Sequence, residues 1–430
     1  MSDAFLIESI VALALTVNAI QPLPGTPLSP VLFFLSWLAS ELAPHNLVIQ
    51  AGLTAFFVAG GGLDERSGRI ALVLSVLCMA GLALLIRESQ RARTVLERAL
   101  CEGLGEEYMD DVPPDRAANY DLRTPWRQLL LPFRQVHPDV EKMRNLRYGP
   151  HGRRNLLDVY RHKDHPPNSP VLIQIHGSGW TVSNKDQQGK PIMLHLAARG
   201  WVCVAPNYRL SPRATWPDHL VDVKRVVAWV REHIAEYGGD PSFVAVTGGS
   251  AGGHLTAMLG LTADDPEYQP GFEDADTSVD AAIPIYAPID LTHRRHPTTW
   301  GQMHFLLEPL VIKRRYRKDP EAFERASPIH RTRAEAPPFF VINAQHDMLV
   351  PVRVSRRFVE RLREASDSPV VYAELPGAQH AFDVFPSIRT AHVVRAVERF
   401  LDVLLARRDK VVPGRGKDTP KRRARTKAKT

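Results

Sequence analysis

One serine in this sequence stands where a nucleophile is expected. Ser250 lies between Gly248 and Gly252, after an apolar run typical of a β-strand (Phe243–Val246) and before a run that favours a helix (Leu255–Leu261). Glycines on either side let the backbone turn sharply and let the helix approach the strand. In this context a Gly-x-Ser-x-Gly turn raises the serine hydroxyl above a sheet. We therefore expect Ser250 to act as a nucleophile.

A second glycine-containing loop follows an earlier apolar run. Val171–Ile175 leads directly into His176–Trp180, which reads His-Gly-Ser-Gly-Trp. Such a loop at a strand end exposes backbone N–H groups, and these can stabilise the negative charge that develops on a carbonyl oxygen. Its place before the Gly-x-Ser-x-Gly turn predicts an oxyanion loop.

Two further side chains could complete a proton relay. Asp347 follows the apolar run Phe339–Asn343, and His380 follows the last such run, Val370–Leu375. A carboxylate at the carboxyl edge of a sheet can hold an imidazole in one tautomer, and the imidazole can then accept a serine proton. The chain order Ser, Asp, His is the one expected for a sheet that carries a serine on such a turn.

Other titratable side chains lie near these motifs. Asp290 follows an earlier strand and is an alternative partner for His380. His254 and His346 neighbour the motif residues, and for both a structural or pocket-lining role is favoured over a catalytic one. An insert runs from Thr292 to Ser327 and carries Trp300, His304 and Phe305. It either covers an acyl pocket or forms a surface loop.

The combined motifs resemble the hormone-sensitive-lipase-like esterase family of α/β-hydrolases over roughly residues 145–405. With the apolar N-terminus included, the chain resembles the actinobacterial membrane-associated carboxylesterases of the Lip group. The segments that carry the resemblance are His176–Trp180, Asn207–Leu210, Tyr237–Pro241, Gly248–Gly253 and Gln379–Phe382.

The resemblance implies a role for each motif residue. Ser250 would be the nucleophile, Asp347 the acid and His380 the base. The oxyanion donors would be the N–H groups of Ser178, Gly179 and Ala251, with His176, Gly177, Gly248 and Gly252 supporting the motifs. The sequence departs from the family at Ser178, which replaces a glycine but keeps its N–H, and in the Met-Leu-Val that follows Asp347, which leaves the subfamily open.

Alternating strands and helices must position these residues. Apolar β-type runs separated by helices indicate a mostly parallel sheet covered on both faces. The sequence therefore predicts an α/β-hydrolase fold preceded by a transmembrane helical region. The predicted strands are Leu156–Tyr160, Val171–Ile175, Val202–Pro206, Phe243–Val246, Ala281–Tyr286, Phe339–Asn343 and Val370–Leu375, and the predicted helices include Asp218–Tyr237, Leu255–Thr262, Val352–Ala365 and Ile388–Leu405.

The first 88 residues read as a membrane anchor. Residues 1–65 contain no Lys or Arg, and the uncharged run Ile70–Ile86 is flanked by Arg69 and Arg87. A run of this length approaches the thickness of a bilayer core. Together with the proline-broken apolar segments Phe5–Ile20, Val31–Leu42 and Leu47–Gly62, it predicts about three spans and a multi-pass membrane protein. The excess of Arg after this run predicts that the catalytic domain is cytoplasmic.

The remaining segments complete the domain organisation. Residues 89–144 are predicted to be a connector and residues 145–406 the catalytic domain. The formal net charge of the chain is +7, but residues 407–430 hold eleven Lys or Arg and two Asp. The net charge of the remaining residues is therefore close to zero. This tail is expected to be disordered and could lie on an anionic leaflet; no nucleic-acid partner is expected.

These observations predict a membrane-anchored serine carboxylesterase or lipase that acts on acyl esters of short to medium chain length. No cofactor or metal is expected, and three scattered cysteines favour neither a disulfide framework nor a zinc site. An arylformamidase-type amidase is the alternative enzyme, because it shares the two glycine-rich motifs. A catalytically silent membrane scaffold is the alternative from another class of protein.

Overall fold

A single eight-stranded sheet organises the chain. The computed structural model describes residues 1–23, 29–121, 123–263, 265–292 and 304–411. The strand order is β1-β2-β4-β3-β5-β6-β7-β8; β2 pairs antiparallel with both β1 and β4, and β3 to β8 run parallel to one another. The strands are β1 (Val140–Arg147), β2 (Leu156–His162), β3 (Ser169–Ile175), β4 (Val202–Pro206), β5 (Gly239–Gly249), β6 (Ala281–Ile285), β7 (Phe339–Ala344) and β8 (Val370–Leu375).

All seven predicted strands are confirmed, and β1 is an addition. Strands β3, β4, β6 and β7 are buried along their whole length, as expected for parallel strands covered on both faces. Strand β1 reads Val-Glu-Lys-Met-Arg-Asn-Leu-Arg and lies half-exposed at the sheet edge. Charged residues are common at such edges because they discourage pairing with other chains. Because β1 is not an apolar run, the sequence pattern did not predict it.

Helices cover both faces of the sheet, and we call the sheet with these helices the catalytic unit, after the predicted catalytic domain. It has three layers, and the predicted α/β-hydrolase fold is confirmed. The helices are α1 (Ser2–Ile20), α2 (Ser29–Glu41), α3 (Ala43–Ala59), α4 (Arg66–Leu104), α5 (Lys190–Ala198), α6 (Asp218–His233), α7 (Ala251–Leu261), α8 (Val352–Ala365) and α9 (Ile388–Val411). Helices α6, α7 and α8 pack on one face, and α4, α5 and α9 pack on the other. Single turns occupy Tyr108–Asp111, Pro114–Ala117, Trp126–Leu129, Gly152–Asn155, Ile234–Tyr237, Pro266–Tyr268, His304–Leu306, Leu307–Val311, Pro320–Arg325 and Pro328–His330.

Helix α4 joins the apolar N-terminus to the catalytic unit without a break. It continues through residue 88, where the sequence suggested the start of a connector. Its second half buries Ala92, Leu96 and Leu100 in the core beneath the sheet. Residues 89–104, which the sequence places in a connector, therefore form part of a layer of the catalytic unit.

The N-terminal helices differ in detail from three simple spans. By length and composition α1 and α4 could each cross a membrane, whereas Val31–Glu41 and Ala43–Ala59 are bent by 87° at the break between them. Only if this bent pair is one span does the number reach three. Buried residues from each helix, Ala19, Ala39, Ala43 and Leu82, hold the four helices together.

The C-terminal helix is longer than the sequence suggested. Helix α9 extends to Val411, whereas the disordered tail was predicted to begin at residue 407. Arg407 and Lys410 both bind Asp111, and this contact fixes the last turns of α9. The rest of the predicted tail, residues 412–430, lies outside the described residues.

Candidate active site

Ser250 occupies the turn between β5 and α7. Its backbone has φ 57° and ψ −122°, and α7 begins at the next residue. A Cβ at Gly252 would lie 2.1 Å from the carbonyl oxygen of Ile175, and one at Gly248 would lie 2.6 Å from the same oxygen. Only glycine fits at these two positions. A positive φ is costly for a serine, and the packing of β3, β5 and α7 maintains it.

Asp347 and His380 are hydrogen-bonded to each other. The distance from His380 Nδ1 to Asp347 Oδ2 is 2.8 Å, and the two side chains are almost completely buried. The second carboxylate oxygen, Oδ1, accepts the backbone N–H groups of Leu349 and Val350 at 2.8 and 2.7 Å. Both oxygens are thus engaged, and the carboxylate is held at the carboxyl end of β7 with one oxygen directed at the imidazole.

Tyr286 connects the imidazole to the serine turn. Its ring centroid lies 4.5 Å from that of His380, and a Cβ added to Gly249 would lie 2.3 Å from its hydroxyl. The N–H of Ser250 donates to the carbonyl of Ile285, the residue before Tyr286, at 3.0 Å. One aromatic ring therefore contacts both His380 and the backbone that precedes the serine.

Sequence reasoning missed Tyr286 and its partner Asp383. The Tyr286 hydroxyl donates to Asp383, which is three residues beyond His380 in the same loop. Burial raises the pKa of the Asp383 carboxyl and raises the pKa of Tyr286 well above its ordinary value. The hydrogen bond ties the end of β6 to the histidine loop. A tyrosine directly after a buried strand was the available signal, but its partner could not be recognised without the fold.

The loop after β3 lies against the serine turn. A Cβ on Gly177 would lie 3.1 Å from the Cβ of Ser250. Ser178, Gly179 and Trp180 have consecutive positive φ angles of 70°, 61° and 59°. Such a left-handed run turns successive N–H groups toward one side, which is a common way to bind an anion.

Free N–H groups line this junction. Gly177 donates its N–H to Gln188 Oε1 at 2.6 Å, and Gln188 Nε2 donates to Ser178 Oγ at 3.1 Å. The N–H groups of Ser178, Gly179 and Ala251 form no hydrogen bond with any other residue that the structure describes. These are the three groups that the family resemblance designates as oxyanion donors, and they remain available to a ligand.

His176 and His254 are buried beside the site and serve its packing. His176 stacks on Tyr208 with ring centroids 4.4 Å apart, and His254 Nε2 lies 2.7 Å from the carbonyl oxygen of Ala326. Burial lowers the pKa of each imidazole to about 4, so both are neutral at neutral pH. Trp180, at the end of the loop, meets His254 edge-on at 5.1 Å.

Neither the other carboxylate nor the other histidine considered from the sequence is hydrogen-bonded to the His380 imidazole among the described residues; the His346 N–H donates to the Ala378 carbonyl at 2.9 Å. Asp290 Oδ1 accepts the N–H and the hydroxyl of Thr292, so the imidazole partner in the structure is Asp347. His346 is half-buried, and burial lowers its pKa. Within the described ranges no group of three or more His, Cys, Asp or Glu is arranged to hold a metal ion.

The described part of the insert borders the site at the oxyanion loop as well as at His254. A Cβ on Gly179 would lie 3.2 Å from Leu306 Cδ2, so the described end of the insert borders the oxyanion loop. Phe305, next to it, is exposed. Trp300 lies outside the described residues, as does the rest of 293–303.

Comparison with known proteins identifies the family. The chain is 41% identical over 409 residues, 92% of each chain, to a protein from Mycobacterium tuberculosis named probable carboxylic ester hydrolase LipM. The chain belongs to the Lip family of carboxylic ester hydrolases. A second Lip protein, esterase LipQ of the same organism, is 45% identical over 74% of this chain and 76% of its own. The family model BD-FAE matches residues 157–362 of this Lip chain.

Solved structures support the fold of this Lip chain. A truncated form of a carbohydrate esterase from gut microbiota aligns with a TM-score of 0.52 and 23% identity, and the match covers 61% of this chain and 96% of that one.

Proposed function

We propose that this Lip esterase is anchored in a membrane and hydrolyses acyl esters of short to medium chain length through Ser250, His380 and Asp347. The observation that carries the proposal is the buried 2.8 Å hydrogen bond between His380 and Asp347, together with the contact of Tyr286 with both His380 and the serine turn. Nδ1 of the imidazole faces the carboxylate, so Nε2 is the nitrogen left to exchange a proton with Ser250.

The reaction takes two steps. Ser250 Oγ forms a bond to the ester carbonyl carbon while its proton passes to His380 Nε2, and the same nitrogen then protonates the alcohol oxygen as the ester bond breaks. Water repeats the sequence on the acyl-enzyme and releases the acid. The imidazolium that forms in each step is stabilised by the carboxylate of Asp347.

Negative charge on the carbonyl oxygen would be stabilised by the N–H groups of Ser178, Gly179 and Ala251. Removing a single donor of this kind typically costs roughly 10²–10³ in kcat. The same donors are not engaged by other described residues, and the strained φ angles of the loop are maintained by Gln188 and the packing of Trp180.

Membrane anchoring is supported by the length and apolarity of α1 and α4. Several large apolar side chains on these helices are exposed, among them Ile7, Val11, Val73 and Leu77. Exposure of so many apolar side chains to water would be unfavourable. In the proposed arrangement α4 leads directly from the bilayer into the catalytic core, the catalytic unit lies in the cytoplasm, and the basic tail 412–430 lies along the anionic leaflet.

A substrate panel tests the proposal. Purified full-length protein should hydrolyse p-nitrophenyl esters from acetate to octanoate, should turn over N-formyl anilides at least about 100-fold more slowly, and should lose activity in Ser250→Ala. Preferred turnover of the formamide would favour an amidase. Absence of any turnover in a correctly folded protein would favour a catalytically silent scaffold.

A further inference from the structure

Helix α2 presents two different faces. One stripe, formed by Phe33, Ser36, Trp37, Ser40 and Glu41, is directed at the catalytic unit. The stripe on the other side is apolar and exposed. It consists of Val31, Phe34, Leu35 and Leu38, whose exposed fractions lie between 36% and 58%. Their spacing of three and four residues places them along one line of the helix.

The inward stripe contacts the loop that carries His380. The ring of Phe33 meets the imidazole edge-on at 6.2 Å between centroids. Gln379 accepts the N–H of His380 at 3.1 Å, and its Nε2 lies 3.4 Å from Ser36 Oγ. Ser40 donates to the carbonyl of Gly377 at 3.3 Å. Helix α2 is thus built against the histidine loop.

A buried ion pair holds α2 in this place. Glu41 and Arg389 are bonded at 2.7 Å with side-chain exposures of 1% and 0%, and Ser387 donates to the second Glu41 oxygen at 2.7 Å. Removing one member of such a buried pair is strongly unfavourable because the other charge remains uncompensated. The exposed stripe of α2 is therefore fixed relative to His380.

A second exposed apolar segment lies on the catalytic unit, at residues 126–136. Leu129 and Pro132 anchor it in the protein, and around them five large apolar side chains are exposed. These are Trp126, Leu130, Leu131, Phe133 and Val136. The charged residues within the segment are Arg127 and Arg134, both exposed.

Aromatic contacts join the segment to α2. Phe385, in the loop after His380, lies 5.4 Å from Phe133 on one side and 5.4 Å from Trp37 on the other. Gln135 Nε2 also donates to the carbonyl of Val384 at 2.9 Å. The exposed stripe of α2 and the exposed side chains of 126–136 thus flank the histidine loop; together we name them the apolar rim.

A basic cavity lies behind the rim. It has a volume of about 650 Å³, and its lining includes Arg127, Arg134 and Arg395. The acidic lining residues are Asp121 and Glu398, and Glu398 is already paired with other cations. Apolar side chains beside arginines suit the boundary between lipid tails and anionic headgroups.

We propose that the apolar rim docks on the surface of a lipid bilayer and so places the loop that carries His380 at the lipid interface. The proposal rests on the membrane anchoring put forward above. A lipid surface is favoured over a protein partner because the charged groups beside the exposed side chains of 126–136 are arginines, and because α2 follows α1, the first helix with the length and apolarity of a span.

Depth measurements on the full-length protein test the docking. Cys101, the one partly exposed native thiol, is changed to Ser, and single cysteines at Phe34→Cys, Leu131→Cys and Ala235→Cys receive the fluorophore NBD. Ala235 is the matched control: it is exposed and precedes β5, at the opposite edge of the sheet from Ser250. The protein is reconstituted in phosphatidylcholine/phosphatidylglycerol vesicles, floated, and titrated with nitroxide-labelled lipid.

We expect the labels at 34 and 131 to be quenched at least about threefold more than the label at 235. If the protein floats but all three labels are quenched alike, the rim does not touch lipid and the inference fails while anchoring stands. If rim labels are blue-shifted without quenching, a protein surface covers them and the lipid assignment is wrong. Failure to float would overturn both anchoring and docking.

Kinetics give an independent readout. Leu131→Glu should lower turnover of an ester dissolved in the vesicle bilayer by roughly tenfold and leave turnover of a water-soluble acetate ester within about twofold. Ala235→Glu adds the same charge away from the rim and should change neither rate. Equal effects of the two variants on the bilayer-borne ester would contradict the proposal.

Discussion

Replacing Asp347 by Asn should abolish most of the activity while leaving the fold in place, and the structure indicates why. Oδ1 of Asp347 accepts the N–H groups of Leu349 and Val350, and Oδ2 faces Nδ1 of His380. In Asn the carbonyl oxygen must stay with the two N–H donors. The amide nitrogen, itself a donor, is then turned toward Nδ1.

This orientation places the imidazole in the wrong tautomer. Nδ1 must accept the amide hydrogen, so the ring proton moves to Nε2, and His380 can no longer take a proton from Ser250. The expected loss in kcat is about 10⁴-fold, which corresponds to about 5.4 kcal/mol in activation free energy. The two backbone hydrogen bonds are retained, so the thermal unfolding midpoint should change little.

The assay is steady-state hydrolysis of p-nitrophenyl butyrate, with circular dichroism to monitor folding. Asp290→Asn is the matched control, because Asp290 binds Thr292 rather than the imidazole; its kcat should stay within about threefold of wild type. If Asp290→Asn is the more damaging change, or if Asp347→Asn keeps more than about a tenth of the activity, the assignment of the carboxylate is wrong.

Three further results are expected. Gly249→Ala should lower kcat at least about tenfold because its Cβ would lie 2.3 Å from the Tyr286 hydroxyl. The control is Gly52→Ala, where an added Cβ meets nothing within 4 Å. Equal kcat in the two variants would refute the role of the Tyr286 ring. His176 has its pKa lowered to about 4 by burial, so the unfolded state binds more protons between pH 6.5 and 4 and stability falls as pH decreases through that window. Chemical denaturation should show that the free energy of unfolding falls as the pH decreases over this window, and His176→Phe should reduce this pH dependence. An unchanged pH dependence in His176→Phe would contradict the lowered pKa of His176. Deleting 412–430 should slow hydrolysis of a bilayer-borne ester in anionic vesicles but not in neutral ones, and equal slowing in both would reject the tail's role on the leaflet.

The sheet and the candidate site were predictable because both depend on local sequence. Buried parallel strands are short apolar runs, and the residues of the site follow directly after them. Strand β1 was missed because its charged side chains suit a sheet edge. Helix α5 (Lys190–Ala198) was missed as well; it is short, and the residue before it, Gly189, is in a left-handed conformation.

Long-range contacts account for what the sequence could not reveal. Residues 89–144 were predicted to be a connector, yet Leu96 and Leu100 face the core because α4 crosses beneath the sheet. Helix α2 looked like part of a span, although Glu41 interrupts its apolar run. Its partner Arg389 is almost 350 residues away in the chain, so only the fold could show that the charge is paired.

Covalent labelling of Ser250 tests the central claim most directly. The full-length protein is treated with a fluorophosphonate, digested and analysed by mass spectrometry. One adduct per chain is expected, on the peptide that contains Ser250, and Ser250→Ala should give no adduct and lose about 10⁴-fold or more in kcat. An adduct on another residue, or activity of Ser250→Ala within tenfold of wild type, would contradict the account.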